Sequence, residues 1–395
     1  MSSACCRNSN NLARTIVWGL WIQAVEMAPE IYALVFRGVH EIENRSSVRL
    51  MGAKGGHIVL TGAAGFIGGY IVEEALSQGY SITGVDNFSK YGKVTRSYDN
   101  HAHYELVEGD AQDVDLLKQL FLEADHVIAA AAMIGGITYF HSYPYDLLAM
   151  NERIIASTCD AAIEAFPLGR LKKVTYLSSS MVFESADHWP STEGEELLIP
   201  PPHSSYGFQK LSTEYFARAA WDQYRIPFTI LRPFNCVGIG ERRALGDVEI
   251  TSGSVSLAMS HVVPDLIQKI VKGQDPLLIL GSGEQVRCYT YGGDLAQGIV
   301  GSLDTDAATN EDFNLSTSRA ITVLELAELI WVKIHGSDRP FSVEHEAPYQ
   351  HDVQKRIPEV SKARDLLGFV AETPIEDVLD ELIPWIEEAI ECGQI

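Results

Sequence analysis

Tyr206-Gly-Phe-Gln-Lys210 sets a phenol and an ammonium four residues apart. On a helix that spacing puts both side chains on one face. An ammonium beside a phenol favours the phenolate and lowers its pKa, which gives a tyrosine able to exchange a proton with a substrate hydroxyl near neutral pH. Upstream, Lys173-Val-Thr-Tyr-Leu-Ser178-Ser179-Ser180-Met-Val-Phe183 reads as a strand that ends in hydroxyls. A serine at such a strand end can orient the phenol and share its proton. Tyr-x-x-x-Lys is common by chance. Its meaning here comes from standing after a three-serine strand end and a glycine-rich nucleotide signature.

That signature is Gly62-Ala-Ala-Gly65-Phe-Ile-Gly68. A short apolar run precedes it, and an apolar-periodic segment follows (Ile67, Ile71, Val72, Ala75, Leu76). The pattern predicts the strand, turn and helix that open a dinucleotide-binding βαβ unit. The first glycine permits the tight turn, the second lets backbone approach a pyrophosphate, and the third lets helix and strand pack closely. The helix N-terminus offers N–H groups and a positive dipole end to the phosphates. Asp86 closes a second predicted strand 24 residues after Gly62. A carboxylate there accepts ribose hydroxyls and repels a 2′-phosphate, which favours NAD over NADP. A turn-capping aspartate is the alternative reading. Two more predicted strands end at Gly109-Asp110, where the acid can reach the adenine, and at a run of alanines that includes Ala130 and Ala131.

The elements that position these groups alternate between strand and helix patterns, so an α/β fold is expected. The formal net charge of −23, from 30 basic and 53 acidic residues, argues against nucleic acid or an anionic membrane as partner. The six cysteines (Cys5, Cys6, Cys159, Cys236, Cys288, Cys392) lack paired metal spacing. No metal is expected, and a reduced, cytoplasmic protein fits them best. No apolar run reaches the ~18 residues of a membrane span. Residues 15–25 are apolar, but Glu26 and Glu30 follow soon after, unlike a signal peptide. Met51-Gly-Ala-Lys looks like a natural start, so residues 1–50 are expected to be an appendage.

Thr61–Gly68, Asp86-Asn-Phe, Gly109-Asp110, Ser178–Phe183, Tyr206–Lys210, Leu231-Arg-Pro-Phe-Asn-Cys-Val-Gly238 and the segment from Gly281 to Asp294 together resemble the extended short-chain dehydrogenase/reductase superfamily. More narrowly, they resemble its NAD-dependent nucleotide-sugar epimerase/dehydratase family. The resemblance implies a Rossmann doubly wound parallel sheet with a smaller C-terminal α/β substrate-binding domain. The NAD-binding part would span residues 51–235, with returning segments near 286–318, and the nucleotide-sugar part mainly 236–395. It implies Tyr206 as catalytic base, Lys210 as its partner and a ribose ligand, and Ser179 as catalytic hydroxyl. NAD would lie on Gly62, Gly65, Phe66, Ile67 and Gly68. Asp86 and Asn87 would hold its ribose, Asp110 and Ala111 its adenine end. Ala130, Ala131 and Pro233 would complete that wall. Asn151 would support the site. The sugar diphosphate would meet Asn235 and Arg287, and the sugar Ser180, Gly135 and Gly136. The nucleotide base is expected against residues 262–280. The resemblance also implies a homodimer through two helices, one carrying Tyr206 and Lys210 and one built from residues 151–165.

Within the family, the residues after Ser179 divide the reactions. Dehydratases need an Asp-Glu pair there, decarboxylases a glutamate and GDP-sugar 3,5-epimerases a cysteine, whereas this chain has Ser180-Met181. A thioether carries no ionisable proton. What remains suffices for a 4-epimerase that oxidises C4 of a nucleotide-diphosphate hexose or hexuronate and returns the hydride to the other face. Gly135-Gly136 resembles a loop of GDP-sugar enzymes, so the nucleotide stays open, and a 3,5-epimerase or 4-keto reductase is the alternative. A non-catalytic NAD-sensing binder is a remoter one. Tyr349-Gln-His-Asp352 stands where the family has Arg-Pro-Gly-Asp, so one phosphate arginine is missing, and Lys355 or Arg356 is the expected substitute. Glu184 and His203 are weaker site candidates. Pro384 is expected to kink or interrupt the last helix.

Overall fold

The computed structural model describes residues 55–134, 143–242, 244–245, 250–253, 255–257, 261–348 and 353–395. The extension over 1–50, the Gly135-Gly136 loop and Tyr349-Gln-His-Asp352 lie outside the described residues.

Seven parallel strands form the central sheet: β1 (His57–Thr61), β2 (Ser81–Asp86), β3 (Tyr104–Glu108), β4 (His126–Ala129), β5 (Lys173–Leu177), β6 (Phe228–Pro233) and β7 (Glu311–Leu315). Their spatial order is β7-β6-β5-β4-β1-β2-β3. The order reverses beside β1, which pairs with β2 on one side (Val59 with Thr83) and β4 on the other (Val59 with Val127). A crevice at the carboxyl ends of the strands belongs at such a reversal. The fold is the expected Rossmann-type α/β arrangement.

Both faces of the sheet are covered, which is why β1 and β5 are buried along almost their whole length rather than at alternate residues. Alternate residues of β1 enter different cores. Ile58 and Leu60 pack with Ile71, Val72 and Ala75 of α1 (Phe66–Ser77) and with Leu295 and Ile299. Val59 packs on the opposite face with Leu117 and Phe121 of α2 (Val114–Phe121), Ile155 and Ala161 of α3 (Pro144–Ala165), and Ala217 of α4 (Ser205–Tyr224). A third core lies beyond Cys236. Ile267 of α5 (Val262–Val271), Leu326 and Ile330 of the helix Val323–His335, and Leu379 and Ile386 of the C-terminal helix Ile375–Glu391 meet there.

Of the kink or interruption expected at Pro384 in that last helix, the interruption is absent. The helix runs through Pro384 without a break. Proline offers no N–H to the carbonyl four residues back, that of Asp380. Both residues lie on the exposed side, where water can serve that carbonyl. No helix among the described residues is long and apolar enough to cross a membrane.

Two glycines set the geometry between β1 and α1. Gly62 has φ +79°, and a Cβ there would lie 2.9 Å from the Ala131 backbone. A Cβ at Gly68 would lie 2.1 Å from the Gly62 carbonyl oxygen. Gly301, in contrast, closes the helix Gly292–Gly301 with nothing within 4 Å of an added Cβ among the described residues. Gly68→Ala should therefore cost about 3 kcal/mol or more, or abolish folding. Gly301→Ala should be neutral to stabilising by about 0.5 kcal/mol. Urea denaturation of the two variants checks the contrast.

Candidate active site

Two capped turns bring the proton-transfer groups together. β5 runs out at Ser178, and Ser179 caps the following 3-10 turn, its Oγ accepting from the Met181 amide at 3.2 Å. α4 is capped by Ser204, whose Oγ accepts from Gly207 N at 3.0 Å. The Glu184 carboxylate in turn accepts from Ser204 N at 2.9 Å and Ser204 Oγ at 2.8 Å. This capping carboxylate fixes where α4 begins and so where Tyr206 stands. Tyr206 and Lys210 are both buried on the helix face turned to the strand ends.

The Tyr206 hydroxyl is hydrogen-bonded to Ser179. Burial pushes the phenol pKa up, while the Ser179 bond and the charge of Arg356 pull it down. Lys210 Nζ donates to the Leu177 carbonyl at 2.9 Å. Burial brings the Lys210 ammonium down to about 8, against the pull of Glu214. The sequence reading named Lys210 as the cation stabilising the phenolate; the charge of Arg356 also bears on the phenol.

Apart from Asn151 and Lys355, the expected site residues among the described ones line a single cavity of about 770 Å³. At one end are the turn residues Gly62, Gly65, Phe66, Ile67 and Gly68, with Asp86, Asn87, Asp110 and Ala111 beyond them. Ala130, Ala131 and Pro233 line its wall, and Ser179, Ser180, Tyr206 and Lys210 its middle. The turn fits a dinucleotide. Gly65 stands at the N-cap of α1 without any side-chain cap, so the first-turn N–H groups are not taken by one. A Cβ on Gly65 would have one close neighbour among the described residues, the Gly62 carbonyl at 3.1 Å. Asp86 is fixed at the strand end by Ala64 N at 3.0 Å and Phe88 N at 2.8 Å. Burial raises its carboxyl pKa, and these two N–H bonds oppose the rise. Asn87 Nδ2 donates to Asp110 at 3.2 Å. Asn151 joins the end of β4 to α3, accepting from Met133 N at 2.7 Å and donating to Met133 O at 2.9 Å.

The other end is cationic. Arg287 and Arg356 stand opposite each other on the paired strands Val286–Arg287 and Lys355–Arg356. Arg287 is buried, and Nη1 and Nη2 donate to the carbonyls of Val286 at 2.9 Å and Val353 at 2.5 Å. Asn235 adopts φ +40°, donates to Cys288 O at 3.0 Å and meets Arg356 Nη1 at 3.5 Å. Of the two expected substitutes for the missing arginine, Arg356 lines the cavity, whereas the Lys355 ammonium lies 5.3 Å over the Trp189 ring. Val263, Pro264, Leu278 and Leu280 form an apolar wall within residues 262–280. His203 also lines the cavity and is exposed.

A further pair had no sequence signal. The buried Glu241 carboxylate is paired with His261, which stands just before α5, and both line the cavity. They are 20 residues apart, on a loop and at a helix start that no motif joins.

The model of the NAD dependent epimerase/dehydratase family matches residues 58–316. The chain is 26% identical to a UDP-N-acetyl-alpha-D-glucosaminuronate decarboxylase of Bacillus cytotoxicus, over 84% of this chain and 97% of that protein. It is 26% identical to a UDP-glucuronate 4-epimerase of Arabidopsis thaliana, over 86% and 79%. The crystal structure of a UDP-glucose 4-epimerase with UDP-glucose, from Thermotoga maritima, superposes with a TM-score of 0.69 at 26% identity, covering 85% of this chain and 99% of that one.

The electrostatics at Tyr206 can be tested without a substrate. Arg356→Gln and Ser179→Ala should each raise the phenol pKa by about one unit, and Lys355→Gln should leave it in place. Ultraviolet difference titration against Tyr206→Phe measures this.

Proposed function

Because the chain belongs to the NAD dependent epimerase/dehydratase family, we propose that it is a nucleotide-sugar 4-epimerase. It oxidises C4 of a nucleotide-diphosphate hexose or hexuronate and returns the hydride to the opposite face. Relatives of similar identity include both decarboxylases and 4-epimerases, so the choice rests on the residues of this site. The observation that carries the reading is Met181. Its side chain packs with Leu147 and Tyr206, and Ile134 and Val353 close the cluster. An apolar wall beside the phenol offers no group to protonate a leaving hydroxyl, to abstract a C5 proton or to assist loss of carbon dioxide.

When bound, NAD supplies a reversible hydride acceptor. The chain's own residues handle orientation and protons. Tyr206 Oη takes the C4 hydroxyl proton and later gives one back, with Ser179 as relay. Lys210 keeps a positive charge near the nicotinamide ribose. Asp86 would accept hydrogen bonds from the adenosine ribose hydroxyls, and the uncapped N-terminus of α1 would serve the pyrophosphate. Arg287 and Arg356 hold the substrate diphosphate with Asn235, a task suited to paired planar guanidinium groups. Residues 51–235 act as the NAD-binding part and 236–395 mainly as the nucleotide-sugar part. A homodimer through α3 and α4 would cover Tyr145, Phe208 and Tyr215, which are large, apolar and exposed on those helices. The proposed setting is cytoplasmic.

NMR in deuterium oxide with UDP-, GDP-, CDP- and dTDP-sugars tests the reading. The expected result is a C4-inverted product without deuterium on carbon. Deuterium at C3 or C5, or release of carbon dioxide, would replace this reaction with a 3,5-epimerase or a decarboxylase. Tyr206→Phe should lower kcat by about 10³-fold with bound NAD retained. Turnover should also fall as pH rises through the Lys210 value of about 8, since the charged ammonium is lost there.

A further inference from the structure

We propose that Glu214 is a positioning residue of this site: it keeps Lys210 charged and fixes the serine strand end that presents Ser179. The proposal rests on the roles given to Tyr206 and Lys210 above. Glu214 follows Lys210 by four residues on α4, hence on the same face. It is fully buried. One carboxylate oxygen accepts from Ser178 Oγ at 2.6 Å and Arg232 Nε at 2.7 Å. The other accepts from Arg232 Nη2 at 2.7 Å and Arg218 Nη1 at 3.2 Å. Ser178 directly precedes Ser179, so the first of these bonds holds the strand end in place.

Arg232 is also fully buried and gathers further acids. Its Nη2 lies 2.8 Å from Glu196 and 2.6 Å from Asp312. Arg218 bridges Glu214 to Glu196 at 3.0 Å, and Lys362 meets Asp312 at 2.9 Å. The groups around Lys210 are therefore Tyr206 and Glu214 on its own helix, the Leu177 carbonyl of β5, and Ser178 and Ser179 just after that strand. Behind Glu214 stand Arg232 of β6, Glu196 of the β5–α4 connection and Asp312 of β7. Among them, Glu214 is the carboxylate that opposes the effect of burial on Lys210. The direct partner of Nζ, the Leu177 carbonyl, is neutral. A buried ammonium sheds its proton unless a negative charge stands near. Well-packed apolar residues could serve a purely structural purpose equally well. A carboxylate one turn from the active lysine does something they cannot.

Glu214→Gln and the charge-balanced Glu214→Gln/Arg218→Gln, made in the full chain, test this through kcat and KM against pH, with melting temperature and NAD content recorded. In the folded variants the alkaline limb of kcat should move down by about one pH unit, which is about ten-fold in kcat above it, while KM stays in place. Glu214→Asp should restore most of the shift. An unchanged limb, or a loss confined to KM or to melting temperature, would overturn the proposal. If neither glutamine variant folds, Ser178→Ala decides. It leaves the charge, so kcat should fall with the limb in place, and wild-type kcat would count against Glu214. If wild-type protein turns over no nucleotide sugar, the proposed reaction fails separately. NMR titration of the Lys210 ammonium in isotope-labelled protein, assigned against Lys210→Met, then decides for Glu214: a fall of about one unit in the glutamine variants supports the proposal, and no change overturns it.

Discussion

Helix α1 can lie against β1 only because nothing projects from Gly68. A methyl group there would occupy the place of the Gly62 carbonyl oxygen. This contact sets the angle at which the helix leaves the sheet and points its uncapped N-terminus into the crevice beside β1. The rest of the cofactor end is arranged around that direction. Asp86 is tied by Ala64 N to the same turn, so the acid and the helix start move as one body. Thr61, the last residue of β1, accepts from the amides of Ala130 and Ala131 at 3.2 Å, which locks the end of β4 to it.

The second wall is built from short polar caps rather than from apolar packing. Ser179, Ser204 and Glu184 each satisfy backbone N–H groups at the start of a turn or helix. These caps determine the direction in which the buried tyrosine and lysine enter the cavity. Both are buried, so charges near them act with less screening than at the surface. Arg356 acts on the phenol and Glu214 on the ammonium. Met181 adds an apolar surface against Tyr206. Among the described residues, the immediate surroundings of the phenol are therefore one hydroxyl, Ser179, and an apolar cluster.

What was legible in the sequence was local. Gly62 to Gly68, Asp86, Ser178 to Ser180 and Tyr206 to Lys210 each encode their geometry within a few residues, because a turn, a strand end or one helical turn suffices. Less legible were contacts that only the tertiary fold creates. Arg356 reaches the phenol because its strand pairs with the one carrying Arg287. Glu241 meets His261 across a loop. The uninterrupted helix at Pro384 was not legible because the local rule, a missing N–H, is weak when the orphaned carbonyl belongs to an exposed residue.

The buried cluster on Arg232 also constrains how the chain reaches this state. Its members come from Ser178, Glu196, Glu214, Arg232 and Asp312. Asp312 lies in β7, which joins the sheet edge beside β6 only after the whole segment containing α5 and the helix Gly292–Gly301 has been traversed. Closing so long a loop has to precede the contacts that reward it. During synthesis, a chain that has emerged only as far as β6 exposes Arg232 without its full complement of acids. The outermost acid of the cluster is thus supplied only when the sheet gains its last strand.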